Sequence, residues 1–298
     1  MVLVELIVGA RGFGIHAVLP VGESMLDYIG CTRMTQRGGV LKYGGRMIHR
    51  VVDDHGPIEV IEAHGVRSLH FGSPARQSAM DLAAPDRIEL TYLRSLLTPL
   101  LFAPEPRRIL LLGLGGGTLA RFLLHHFPGV KIEAVELRAQ VVEIAKTYFK
   151  LEATSSLCIH VMDAHHYLER PVTGANSVFD LILVDVFDAE GPSVILDEPE
   201  FFSRLSGMLA LRGGMAVNLW SGEGTAWREV QAEIRHHFKG PLAGLSVPGR
   251  GNRICLALGE AFGKLNFKTL EETARTLEQR LDVEFVRLLE RLEFSPSR

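Results

Sequence analysis

The stretch Ile109-Leu110-Leu111-Leu112-Gly113-Leu114-Gly115-Gly116-Gly117-Thr118 constrains the fold more than any other part of the chain. An apolar run stops at a glycine cluster and passes at once into a helical pattern, which reads as a β-strand feeding a ligand loop. Glycines at 113, 115 and 117 permit a tight turn and close approach of backbone amides, and the helix that follows offers the partial positive charge of its N-terminus. A dinucleotide fingerprint requires G-x-G-x-x-G, but its last position here is Thr118. The spacing is instead G-x-G-x-G, which cradles no pyrophosphate and favours an adenosyl ligand such as S-adenosylmethionine. The bland alternative is a tight strand-to-helix turn with no ligand.

The following segments supply the rest of a mononucleotide site. A helix over Thr118–Phe127 closes at Pro128-Gly129, and the strand Lys131–Val135 ends in Glu136, an acid placed to accept from both ribose hydroxyls. A helix over Arg138–Phe149 leads to the strand Leu157–Val161, which ends in Met162-Asp163; Asp163 is placed to receive an adenine amino group. The strand Asp180–Val184 ends in Asp185-Val186-Phe187-Asp188. Singly, each acid reads equally well as a solvated strand end or a helix cap. Together they deliver a glycine loop and acids to one carboxyl edge, where open parallel sheets bind ligands.

Composition narrows the partners. A formal charge of -3 and the lack of a Lys/Arg-rich run give no basic field for nucleic acid. No uninterrupted apolar stretch approaches the roughly 18 residues of a membrane span, and Met1–Ala10, broken by Glu5, reads as a strand rather than a signal peptide. Cys31, Cys158 and Cys255 are widely spaced, with no disulfide framework or zinc pattern. The expectation is a cytoplasmic protein acting on a small molecule. Adjacent histidines at 125–126, 165–166 and 236–237 point in different directions on a helix, so no metal site is expected. His49, Asp53, Asp54 and His55 read as turn chemistry.

Residues 1–85 differ from the remainder. Alternating runs at Val40–Tyr43, Met47–Val52, Ile58–Glu62 and Val66–Phe71, separated by Gly44-Gly45, Asp54-His55-Gly56-Pro57 and His64-Gly65, predict a small N-terminal antiparallel β domain. Residues 86–298 then read as a Rossmann-like domain: a helix over Ile88–Leu101, repeated β-α units, a helix over Glu200–Leu209 and a strand over Met215–Trp220. A helix near Thr225–Phe238 precedes a hairpin through Pro248-Gly249-Arg250-Gly251-Asn252 into Arg253–Leu258, so at least one terminal strand is antiparallel. The fold class is α/β, doubly wound, with a mostly parallel seven-stranded sheet of the class I methyltransferase kind. Leucines at 270, 277, 281, 288 and 292, with Phe285, predict one amphipathic helix over Thr269–Leu292. Trp220, after Asn218 at a strand end, reads either as pocket border or as core.

These motifs resemble the spermidine synthase (polyamine aminopropyltransferase) family over most of the chain. The family's gatekeeping loop reads Asp-Ser-Ser-Asp-Pro-x-Gly-Pro, and here Asp185-Val186-Phe187-Asp188-Ala189-Glu190-Gly191-Pro192 keeps both acids and the Gly-Pro in spacing. The resemblance implies that Asp188 is the catalytic acid with Asp185 beside it, that Gly113, Gly115, Gly117, Glu136 and Asp163 hold the nucleoside, and that Tyr92, with Gln77, meets the substrate. It also implies an adenosyl sulfonium co-substrate, decarboxylated S-adenosylmethionine or S-adenosylmethionine, a small-molecule amine acceptor and a homodimer. Two departures stand out. Gly116 occupies the place of the family's aspartate at the aminopropyl end, and Leu93-Arg94 replaces Gln-Glu after Tyr92, which would put a positive charge into an amine site. Methyl transfer and nucleoside binding without turnover are the rival expectations.

The chemistry fits this set. An alkyl amine has a pKa near that of lysine, roughly 10.4, so a carboxylate must take its proton as it attacks the carbon beside the sulfonium. Phe187, Gly191 and Pro192 suit a covering lid. The carboxylates Asp185, Asp188, Glu190, Asp197, Glu198 and Glu200, with no Lys or Arg among them, attract a cation; the last three also suit the start of the next helix.

Overall fold

Turn residues organise the first sheet. The computed structural model describes residues 33–34, 40–170, 178–187, 194–198, 200–220, 226–249 and 251–295. Tyr43-Gly44 and His64-Gly65 all take positive φ, from 50° to 79°. Paired positive-φ residues form the turn whose twist matches a hairpin. They help connect β1 (Arg33–Met34), β2 (Val40–Lys42), β3 (Gly45–Asp53), β4 (Gly56–Ala63), β5 (Val66–His70) and β6 (Ser78–Asp81) into an antiparallel sheet in sequential order. β2 to β5 match the expected runs, whereas β6 is too short to show alternation. The strand expected over Met1–Ala10 lies outside the described residues.

The second sheet holds the parallel strands β7 (Arg108–Leu112), β8 (Lys131–Glu136), β9 (Leu157–Val161), β10 (Phe179–Val184) and β11 (Leu209–Trp220). β12 (Leu242–Ser246) and β13 (Asn252–Leu258) form the expected hairpin, with β13 antiparallel to β11. From one edge the order is β9-β8-β7-β10-β11-β13-β12, and a two-residue β14 (Glu293–Phe294) extends the expected seven strands to eight. The order reverses between β7 and β10. Such a switch point leaves a crevice at the carboxyl ends of the two strands.

Helices α1 (Thr91–Leu96), α2 (Thr118–His126), α3 (Ala139–Tyr148), α4 (Ala164–Leu168), α5 (Phe201–Met208) and α6 (Ala226–His237) pack with these sheets. α1 is shorter than the helix expected over Ile88–Leu101 because Pro99 has no N–H to continue it. The Thr98 hydroxyl donates to the Ser95 carbonyl instead, and a 3-10 turn covers Thr98–Leu101. The expected helix over Thr269–Leu292 is likewise two: α7 (Phe267–Leu281) and α8 (Phe285–Glu290). Asp282 takes a left-handed φ of 52°, Val283 turns into the core at 2% exposure, and Glu278 accepts the Val286 N–H in the first turn of α8. Both helices pack on the main core through Leu270, Leu277, Leu281, Phe285 and Leu288.

Helix α3 is shared. Its Val141 and Ile144, with Phe149 beyond it, pack against Ile58, Val60, Leu69, Phe71 and Met80 of the first sheet. Each such fully buried side chain contributes about 1.5–3 kcal/mol of transfer free energy. This seam brings the β3–β4 turn and β6 beside the glycine loop.

Candidate active site

A cleft of about 340 Å³ opens at the switch point, lined by the glycine loop, the ends of β8 and β10, and the neighbouring edge of the first sheet. That volume suits a small organic ligand, at the lower end of the roughly 300–1,000 Å³ usual for such sites. Gly113 has φ 91°, and a Cβ there would lie 2.2 Å from the Asp185 carbonyl oxygen. Only glycine lets β7 and β10 close so tightly. Gly115 and Gly117 also take positive φ.

The loop amides are already bound. Leu114 N and Gly115 N donate to Glu136 Oε2 at 3.1 and 3.3 Å, and Arg138 N donates to Glu136 Oε1 at 3.0 Å. Burial pushes the Glu136 carboxyl above the usual range, while these three N–H groups pull it down. The residue is 8% exposed and faces the cleft. Asp163 also lines the cleft, and its Oδ1 caps α4 by accepting from His165 N at 2.7 Å. Both expected nucleoside acids therefore stand at the carboxyl edge, and each also braces local backbone.

The other half of the cleft is braced across distant segments by Tyr92 and Asn218, which hold Asp185 without being part of the lining. Tyr92 on α1 donates its hydroxyl to the Gln77 carbonyl oxygen at 3.2 Å and toward Asp185 Oδ2 at 3.4 Å. Asn218 Nδ2 donates to Asp185 Oδ1 at 2.8 Å. Burial pushes Asp185 up to about 6, against the downward pull of the Asn218 and Tyr92 hydrogen bonds. A carboxyl poised there is ionised at neutral pH yet able to hold a proton transiently. Gln77 lines the cleft and adjoins Tyr92. Asp188, with Glu190, Gly191 and Pro192, lies outside the described residues, while Phe187 lines the cleft.

Two expectations change. Arg94 does not enter the cleft: its Nε lies 3.3 Å from Glu284 Oε2 and its Nη1 donates to the Ile88 carbonyl, because two residues along a helix turn the side chain about 200° from Tyr92. Leu93 lines the cleft instead. Gly116, in turn, has no space for a side chain. A Cβ would meet Ser78 Cβ and Oγ at 2.9 Å and the Phe149 ring at 3.0 Å, and Ser78 Oγ already accepts the Gly116 N–H at 3.0 Å. Trp220 is 49% exposed and lies over Gly251, away from the cleft lining and outside the core.

Sequence reasoning missed the wall supplied by the first sheet. Arg138 makes a two-pronged contact with Asp53, Nε to Oδ2 at 3.0 Å and Nη2 to Oδ1 at 2.7 Å, donates to the Gly56 carbonyl and stacks 4.6 Å over Phe71. Burial works to raise Asp53, but the Arg138 guanidinium and the His55 N–H together outweigh it and hold the carboxyl below its usual range. This clasp brings His55 and Phe71 to the cleft. The acid-rich turn Asp53-Asp54-His55 was the available signal. Ser78 and Asn218 gave none.

The spermine/spermidine synthase domain matches residues 94–218. A polyamine aminopropyltransferase of Chromobacterium violaceum is 30% identical over 249 residues, 83% of this chain and 94% of that protein. A solved structure of a probable spermidine synthase from Corynebacterium glutamicum superposes with a TM-score of 0.66 at 20% identity, covering 84% of this chain and 90% of that one. Human methyltransferase-like protein 13, solved with SAH, superposes with a TM-score of 0.56 at 28% identity, covering 64% of this chain and 88% of that one.

Proposed function

Since the chain belongs to the spermidine synthase (polyamine aminopropyltransferase) family, we propose that it is an enzyme transferring the aminopropyl group of decarboxylated S-adenosylmethionine to an amine. The observation that carries this reading is Asp185, hydrogen-bonded by Tyr92 and Asn218 at the switch point, facing the cleft with its ionisation set near neutrality.

In this reading the glycine loop and Glu136 receive the ribose end and Asp163 the adenine. The acceptor enters as a neutral amine beside Tyr92, Gln77 and Asp185. Its nitrogen lone pair attacks the methylene carbon next to the sulfonium. The C–S bond breaks with its electrons passing to sulfur, methylthioadenosine leaves, and the new ammonium gives its proton to a carboxylate. Asp188 takes that proton by family correspondence, and Asp185 holds the amine. Alignment of nitrogen and carbon in a closed cleft supplies much of the rate.

The test is to incubate the purified protein with decarboxylated S-adenosylmethionine and a panel of di- and polyamines, detecting methylthioadenosine by mass spectrometry. Product that vanishes in Asp188→Asn, with methylthioadenosine binding retained, supports the reading. Absence of product across the panel defeats it. A second reading, methyl transfer from S-adenosylmethionine, is favoured by Gly116, where no acid is available for the aminopropyl ammonium; methylated amine formed from the parent sulfonium would establish it. A homodimer in the cytoplasm belongs to the same proposal, and a solution mass equal to one chain at micromolar concentration would remove the dimer.

A further inference from the structure

Asn218 is an amide within the apolar run that ends β11. Met215, Ala216 and Val217 before it are fully buried, Leu219 after it is nearly so, and Asn218 itself is 2% exposed. A leucine would serve packing as well, and a buried amide is costly unless its donors and acceptors are met. Here they are met in one direction. Nδ2 donates to Asp185 Oδ1 at 2.8 Å, and Oδ1 accepts from Asn252 Nδ2 at 3.0 Å. Asn252 opens β13 beside the β12–β13 turn, opposite Trp220 in the β11–β13 register.

The oxygen and nitrogen of an amide have almost the same shape, so neighbours decide which faces Asp185. A carboxylate only accepts and therefore calls for the NH2. An Asn252 NH2 calls for the oxygen at the other end. The two demands agree, and the pair of amides presents a donor to the acid. Reversing both amides would present an oxygen, which suits a protonated acid alone.

We propose that Asn218, held in its orientation by Asn252, is a positioning residue that keeps Asp185 a hydrogen-bond acceptor facing the cleft and ties that acid to the β12–β13 turn. Burial raises the Asp185 pKa, and the Asn218 hydrogen bond opposes that rise. Among the described residues, the charged or titratable groups that touch the acid or line the same cleft are Tyr92 on α1, Glu136 ending β8, Asp163 before α4, Arg138 before α3 and His55 on the β3–β4 turn. Among them Tyr92 donates to the second oxygen, Oδ2, leaving Oδ1 to Asn218. The inference builds on reading Asp185 as a site acid, but its test needs no turnover.

The test is a carbon-13 NMR titration of aspartate-labelled whole protein, with the Asp185 carboxyl signal assigned by its loss in Asp185→Asn. The wild-type midpoint is expected at about 6. Asn218→Leu removes a hydrogen bond to a charged group and is expected to raise the midpoint by roughly one unit or more. Asn252→Ala, which frees the Asn218 amide to turn, is expected to raise it less. Asn252 is half-buried at a hairpin end, so that variant carries the test should Asn218→Leu fail to fold. A midpoint unmoved in folded Asn252→Ala overturns the role of Asn252, and one unmoved in folded Asn218→Leu overturns the whole inference. A moved midpoint in a protein that transfers no aminopropyl group would sustain this inference while defeating the proposed function.

Discussion

The two halves of the cleft are held by different means. On the side proposed for the nucleoside, carboxylates bind backbone amides: Glu136 takes those of Leu114 and Gly115 on the neighbouring β-α unit and of Arg138 on its own, and Asp163 takes that of His165. On the amine side, side chains meet across the fold, as Tyr92 with Asp185 and Asp185 with Asn218, itself joined to Asn252. The half proposed for the nucleoside is thus a property of adjacent β-α units, each bracing itself or its neighbour. The half proposed for the amine exists only once strands β10, β11 and β13 are in register. Substitutions that vary specificity without harming the fold should therefore accumulate in the second half; of the departures from the family pattern, Leu93 lines the cleft whereas Arg94 points away from it.

The largest effect should come where the halves join. Gly113→Ala sets a methyl against the Asp185 carbonyl and demands a φ that L-residues resist. Overpacking and backbone strain together should cost about 3 kcal/mol or more. Denaturant unfolding should show the loss, and calorimetry should show methylthioadenosine binding falling with it. Wild-type stability and ligand affinity in this variant would mean that the halves are not mechanically joined.

Asp185→Asn should separate them. Loss of the acid that holds the amine should lower kcat/KM about 10- to 100-fold while methylthioadenosine binding stays nearly constant. In the wild type, kcat/KM should fall as pH drops through about 6, where Asp185 becomes protonated. Stability should run the other way. With the folded pKa raised, the unfolded chain binds fewer protons between the ordinary carboxylate pKa and about 6, so stability falls as pH rises through that window, by at most about 3 kcal/mol. Asp185→Asn should flatten that slope, which denaturant midpoints across pH 4–7 would reveal.

The same contrast explains what was legible. Strand-loop-acid units are local, so the glycine loop, Glu136 and Asp163 could be placed from spacing alone. Hairpins β2 to β5 were legible because turn residues with positive φ announce them. Contacts made across the fold leave no periodic trace: Asn218 looks like any strand residue, and Ser78 beside Gly116 is separated from it by 38 positions. The clasp of Arg138 on Asp53 spans 85. Arg94 was misjudged because adjacency to Tyr92 in sequence suggested adjacency in space, which a helix denies. The break at Asp282 hid behind leucines that keep their spacing across it.

Gly116 sharpens the comparison further. Gly116→Asp alone should cost about 1–3 kcal/mol through collision with Ser78, and should not raise affinity for decarboxylated S-adenosylmethionine. Combining it with Ser78→Gly should recover part of that stability, a non-additivity expected of touching residues. If Gly116→Asp by itself tightens binding of the decarboxylated sulfonium, the amine half is less tightly packed than the structure has it.

The smallest effect tests the position of Arg94. A guanidinium inside an amine site would repel its substrate, and removing it would lower KM for the amine. Arg94 instead pairs with Glu284, which is itself partly exposed. Such pairs contribute about 0–1 kcal/mol, so Arg94→Ala should shift the unfolding midpoint slightly and leave KM for the amine within about twofold, since screened charges outside the cleft act weakly on its contents. A fall in KM of tenfold would return Arg94 to the amine site and make charge, rather than the packing at Gly116, the feature that sets this chain apart within its family.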